Sequence, residues 1–221
     1  MTDGAHRMRT QGLSAPTVLL TGFEPFGEHS VNASWLAAQA LHGRQIAGHR
    51  VVAARLSTVF DLSLRELQGL LSAHAPSLVL CLGLASGRKA LSLERVAINI
   101  NDASLADNHG AQPVDTPVVS EGPTAYFSTL PLKAMLHALR RHSLPAELSQ
   151  TAGTFVCNHV FYGLMHALAT QAALKHTRGG FVHVPDLPVL ALADLVGGLH
   201  LVLETALTTQ TDARFAAGVV H

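Results

Sequence analysis

Leu78-Val79-Leu80-Cys81-Leu82-Gly83 is an apolar run with Pro76 just before it and a glycine at its end. Thr17-Val18-Leu19-Leu20-Thr21-Gly22, after Pro16, has the same form. A strand with one wet face alternates apolar and polar residues, whereas an unbroken apolar run bounded by turn residues reads as a strand covered on both faces of a parallel sheet. Working outward, Arg50–Leu56 reads as a second strand between these two, and Phe181-Val182-His183-Val184 as a later one. Helical periodicity fills the gaps. One helix runs through Trp35 to Leu41 with Ser30 or Asn32 as cap, and Asp61–His74 carries Leu62, Leu67, Leu70 and Leu71 on one face. Another starts at Pro131 with Leu132, Met135, Leu136 and Leu139 and ends by Pro145. Ala146–Thr151 is expected as a short strand, Cys157–Leu174 as a helix broken by Gly179-Gly180, and the last helix opens at Pro188. Arg95–Ile100 reads as a strand with Glu94 at its start, and 101–114 as a polar loop. Alternating strands and helices predict a single-domain three-layer α/β/α sandwich with a mainly parallel twisted sheet. It is expected to span residues 16–221 behind a disordered leader, 1–15.

Composition narrows the function. Of 221 residues only 14% are charged, and 15 Lys plus Arg balance 15 Asp plus Glu. A chain that coats nucleic acid needs a basic excess, and this one has none. A sparsely charged, neutral surface favours self-association. The most apolar downstream stretch, Val189–Leu207, is interrupted by Asp194, His200 and Glu204, so it reads as a buried helix rather than a membrane span. Cys81 and Cys157, the only cysteines, make neither a disulfide framework nor a metal set, which points to the cytosol. Phosphate-loop, dinucleotide, zinc-protease and serine-hydrolase motifs are all absent from the sequence.

The densest polar group within an apolar setting is Gly153-Thr154-Phe155-Val156-Cys157-Asn158-His159. Here Thr154 is positioned to cap a helix that carries Cys157 in its first turn, where unpaired N–H groups and the helix dipole lower a thiol pKa. The same N–H groups suit an oxyanion. Cys81, inside an apolar strand, reads as core. A cysteine nucleophile needs a base and an orienting group. His159 points off the Cys157 face. His183 sits near the end of a strand, before Pro185-Asp186. For the orienting carboxylate the residues leave Glu94, Asp102, Asp107 and Asp186 open.

The chain resembles the pyrrolidone-carboxylate peptidases (type I pyroglutamyl peptidases) from about Val18 to Pro188. The resemblance is carried by Thr21-Gly22-Phe23-Glu24-Pro25-Phe26-Gly27, Glu94-Arg95-Val96-Ala97-Ile98-Asn99, Gly122-Pro123-Thr124-Ala125-Tyr126-Phe127, Thr151–His159 and His183-Val184-Pro185, in that order. It implies Cys157 as nucleophile, His183 as general base and Glu94 as orienting carboxylate. It also implies Phe23, Phe26 and Asn32 at the pyroglutamyl pocket. The activity it implies is removal of an amino-terminal pyroglutamate from peptides through an acyl-enzyme. That enzyme would be intracellular, without metal or cofactor, and a homo-oligomer, often a tetramer.

Departures from the family pattern motivate two alternatives. Leu84 stands where a glutamine is frequent, at the substrate end of the second apolar strand, and Ser104 where an arginine is usual. Asp186 replaces a frequent tyrosine and Ala33 a frequent proline. One alternative is a cysteine amidase or aminopeptidase of the same fold with shifted amino-terminal specificity. The other is a non-catalytic protein that binds pyroglutamyl peptides.

Overall fold

The computed structural model describes residues 15–218; the expected leader, residues 1–14 of it, lies outside them. In chain order the elements are β1 (Thr17–Phe23), α1 (Ala33–Leu41), β2 (Gln45–Ile46), β3 (His49–Leu56), α2 (Leu62–His74), β4 (Leu78–Leu84), β5 (Leu91–Glu94) and β6 (Val96–Ile98). There follow β7 (Ala125–Phe127), α3 (Leu132–Arg141), β8 (Ala146–Ser149), α4 (Val156–Thr170), β9 (Arg178–Val184) and α5 (Leu192–Thr208). The main sheet runs β2-β3-β1-β4-β9-β5-β8.

Its centre is parallel: β3, β1, β4 and β9 run the same way. The apolar runs occupy this centre, and each buries both faces. On β4, Leu78, Leu80 and Leu82 pack with α1, α3 and α5, while Val79 and Cys81 pack with α2 and α4. The period-2 alternation of side chains therefore divides one apolar strand between two cores, giving the three layers. From β1 the chain passes to β3 on one side, then returns to β4 on the other. Such a switch point opens a crevice at the strand C-termini, and Phe23 and Leu84 stand there.

Several boundaries differ from the sequence reading. Glu94 does not begin a 95–100 strand; it ends β5, which runs antiparallel to β9 and makes the sheet mixed. Val96–Ile98 instead pairs with β7 in a small separate sheet. The Cys157 helix stops at Thr170, with a 3-10 turn at Ala172–Leu174. Gly179 and Gly180 are not a breaker but part of β9. Close packing explains them: a Cβ at Gly179 would lie 2.7 Å from Leu168 Cδ1, and one at Gly180 2.5 Å from Ser128 Oγ. The last helix begins at Leu192 rather than Pro188. Among the described residues no helix is long and apolar enough to cross a membrane.

Candidate active site

Three strand ends and one helix start build the site. Phe23 closes β1, Leu84 closes β4 and His183 lies next to last in β9, while Phe155, Val156 and Cys157 form the start of α4. All of these line one cavity of about 140 Å³, together with Phe26, Asn32, Thr58 and Ala152. The walls are mostly apolar. Phe155 packs 6.1 Å from Phe26 and edge-on to Phe60 at 5.4 Å, so a third ring joins the two expected ones.

Gly83 decides where the thiol sits. It is in register with His183 across β4 and β9. A Cβ at Gly83 would come within 2.7 Å of Cys157 Sγ, so only glycine lets the helix start press its sulfur against the sheet. No side-chain cap occupies the N-terminus of α4, whose cap position is Phe155. Thr154 is therefore not the cap; its hydroxyl donates to the Asp102 carbonyl at 2.6 Å. The first N–H groups of a helix have no intrahelical acceptor, and at this helix start Phe155, Val156 and Cys157 all line the cavity.

His183 and Glu94 meet through sheet geometry. Opposite Glu94 stands Phe181, so His183 is the diagonal neighbour on the same face. Glu94 Oε1 lies 2.7 Å from His183 Nδ1, and both side chains are buried. With Nδ1–H donating to the carboxylate, Nε2 is left as the basic nitrogen. Among the described residues no hydrogen bond joins Sγ to the imidazole; in an unliganded site such contacts often tighten only with substrate.

Arg88 was assigned no role in the sequence reading, yet its Nη1 donates to the same Glu94 Oε1 at 2.7 Å, and Nη2 to the Thr151 carbonyl at 3.2 Å. It joins the β4–β5 turn to the loop before α4. Its place six residues before Glu94 is the one sequence signal that points to it.

Burial sets the charge states. It pushes the Cys157 thiol up to about 12, with the Glu94 charge adding to this and Arg88 opposing it. At the helix start, removal from water thus works against the depression expected from the helix N–H groups. Burial also lowers His183 below the ordinary imidazole range, against the pull of its Glu94 contact. Thiol and imidazole both rest neutral. Cys81, sealed in β4, is likewise pushed up to about 12 and lines no part of the cavity.

The other carboxylates fall away from the ring. Asp107 is a loop anchor that accepts from the N–H groups of Phe60, His109 and Ala111. Burial alone would raise its pKa, but those three donors outweigh it and hold the carboxyl low. Asp102 is exposed. Asp186 lines a neighbouring cavity. Ser104 lies exposed on the 101–114 loop and does not line the catalytic cavity. Asn32 is the α1 cap, of the two candidates named: its Oδ1 accepts from Ser34 N and its Nδ2 donates to Glu24 O. That fixes the 23–27 loop and hence the Phe26 ring. Asn158 and His159 face away from the sulfur. Asn158 holds β6 through Ile98, and His159 bonds Asn101 and the Asp61 N–H.

A cysteine against a helix N-terminus, a histidine oriented by a buried carboxylate and a small apolar pocket define a cysteine hydrolase of the α/β class. Residues 16–218 match the family described as pyroglutamyl peptidase, and the chain belongs to that family. A pyrrolidone-carboxylate peptidase 1 of Ralstonia nicotianae is 51% identical, over 93% of this chain and all of that one. One from Bacillus cytotoxicus is 45% identical over 93% of this chain and 99% of its own. Among solved structures, pyroglutamyl peptidase I of Bacillus amyloliquefaciens superposes with a TM-score of 0.89 at 39% identity, covering 91% of this chain and all of that one. A mutant pyrrolidone carboxyl peptidase of P. furiosus reaches 0.85 at 35% identity, covering 88% and 99%.

Proposed function

We propose that Cys157, His183 and Glu94 are the nucleophile, base and orienting carboxylate with which this chain performs its family's reaction. The activity is that of a cysteine peptidase removing an amino-terminal pyroglutamyl residue through an acyl-enzyme. The observation that carries the assignment is the 2.7 Å contact between Glu94 Oε1 and His183 Nδ1 beside the Cys157 cavity.

The flat lactam packs among Phe23, Phe26 and Phe155, an arrangement suited to a neutral ring. Leu84 offers it no side-chain polar group, so backbone groups at the rim supply specificity. As Sγ attacks the exocyclic carbonyl carbon, its proton passes to His183 Nε2, and the developing oxyanion meets the free N–H groups of the α4 start. Glu94 stabilises the imidazolium so formed. The proton then moves from Nε2 to the leaving nitrogen, the C–N bond breaks and a thioester is left. Water attacks it with Nε2 as base, which releases pyroglutamate and returns the proton to sulfur. Because the thiol starts neutral, its deprotonation belongs to the attack itself. Arg88 acts through Glu94 as a positioning residue.

Hydrolysis of pyroglutamyl-, prolyl- and alanyl-coumarin amides tests the reading. Cleavage of the first alone, abolished by a thiol blocker and by Cys157→Ser, is expected. Preference for a free-amine substrate would sink it. A homo-oligomer, a tetramer being one such form, and a cytosolic setting belong to the same proposal. They are supported by the balanced, sparse charge and the two free cysteines, and a monomer at micromolar concentration in sizing runs would remove the first.

A further inference from the structure

A second cavity of about 510 Å³ adjoins the catalytic one and shares Leu84 with it. Across their border the Phe26 ring of the first lies 5.7 Å from the His29 ring of the second. Two of its walls are apolar yet open to water: Val31 is 52% exposed and Val189 47%. Its polar side is a small network in which Ser86 Oγ lies 3.2 Å from His29 Nε2 and 3.3 Å from Asp186 Oδ1. Among its described lining residues Asp186 alone carries a carboxylate. At about 140 Å³ the catalytic cavity has room for a ring but not for the peptide behind it.

We infer that this second cavity is the subsite for the leaving peptide and that Asp186 gives it a preference for a cationic side chain on the second residue after pyroglutamate. The inference rests on the proposed reaction, because it takes its direction from His183. The leaving nitrogen must receive a proton from that ring, so the departing chain starts at the end of β9. Asp186 follows His183 by three positions, and three residues of extended chain reach at most about 10 Å. The first leaving residue therefore meets Leu84, Val31 and Val189 with an apolar side chain, and a lysine or arginine on the next reaches Asp186. Asp186 sits in solvent-accessible surroundings, which makes the pairing modest and screened by salt.

The test compares pyroglutamyl-valyl-lysine amide with pyroglutamyl-valyl-glutamate amide, both capped so that no terminal carboxylate intrudes. The lysine peptide is expected to have a kcat/KM about 2- to 5-fold higher at low salt, the scale of one exposed charge pair. Salt should shrink that ratio in the wild-type enzyme, and Asp186→Asn should bring it close to one. A ratio of one in the wild type, or one untouched by both salt and Asp186→Asn, overturns the subsite while leaving pyroglutamyl cleavage standing. If neither peptide nor a pyroglutamyl-coumarin amide is cleaved, the reaction itself is wrong and the subsite falls with it.

Discussion

Glu94 Oε1 and His183 Nδ1 lie 2.7 Å apart across two antiparallel strands, although 89 residues separate them in the chain. Arg88 Nη1 donates to that same oxygen, and Glu94 Oε2 has no partner among the described residues. Replacing Glu94 with Gln keeps the shape but lets an amide N–H face the imidazole, which favours the wrong tautomer. The analogous change in a serine triad costs about 10⁴ in kcat. A loss of about 10³- to 10⁴-fold in kcat with little change in KM is expected from steady-state kinetics. Retention of more than a tenth of the rate would remove Glu94 from the mechanism.

The parallel centre of this sheet was readable because β1 and β4 bury both faces and therefore carry no polar alternation. The antiparallel β5 was not. Its Leu91-Ser92-Leu93-Glu94 is short, and both polar residues are buried, so local pattern gave no strand and moved Glu94 to the next element. Cys157 and His183 stood out as polar groups at apolar element ends, and the family strings then ranked Glu94 above three other carboxylates. The neutral resting state was hidden, because a helix start argues for a low thiol pKa and burial is a tertiary fact. Phe155 has no local signal either, since its partners Phe26 and Phe60 come from distant segments, whereas Arg88 lies only six residues before Glu94 and reaches it through the turn between β4 and β5.

Arg88→Ala should act through the pKa of His183 as well as through geometry. The Arg88 charge lowers that pKa, so its removal moves the acid limb of the kcat/KM profile to higher pH. One hydrogen bond to a charged group is worth about 1.5–3 kcal/mol, which corresponds to roughly a 10- to 150-fold lower kcat. A pH–rate profile with the limb unmoved would reduce Arg88 to a structural link between two loops. Partial recovery on adding guanidinium chloride at low concentration would support the positioning role.

The resting thiol should behave as a thiol. With Cys157 pushed up to about 12 and His183 held low, no thiolate–imidazolium pair forms in the free enzyme. Alkylation by iodoacetamide should be slow at pH 6 and climb toward alkaline pH, while kcat/KM for a pyroglutamyl amide stays level from neutral pH upward. It falls only in acid, below the ordinary imidazole range, as His183 takes a proton. Fast alkylation independent of pH between 5 and 8 would show a preformed ion pair instead.

Gly83→Ala tests the seat of the sulfur. The added Cβ would fall 2.7 Å from Cys157 Sγ and 2.8 Å from Phe181 Cζ. The Phe181 ring cannot retreat far, since it is fully buried in the core with residues of α4, so the sulfur would have to give way toward the cavity. Overpacking of this kind costs about 1–3 kcal/mol of stability, and moving a reacting atom by about 1 Å costs roughly 100-fold in rate. Denaturant unfolding and kcat measured on one preparation separate the two effects. An alanine variant that is folded and fully active would mean that the sulfur is not held against β4.

His159 makes stability depend on pH without taking part in catalysis. The Asp61 N–H donates to its Nε2, so that nitrogen is unprotonated and Nδ1–H donates to Asn101 Oδ1. The ring is 1% exposed, and burial lowers its pKa to about 4, with the Asp61 charge opposing. An unfolded chain takes up this proton near pH 6.5, the folded one only near 4, so between those values the unfolded state binds more protons. Stability is therefore full above about pH 6.5 and declines as pH falls toward 4, by roughly 3 kcal/mol from this group. His183, also lowered, acts with the same sign. Urea midpoints measured from pH 7.5 to 4 should fall in this window for the wild type, and His159→Gln, less stable at pH 7, should fall less steeply. Parallel curves for the two proteins would place the acid sensitivity elsewhere in the fold.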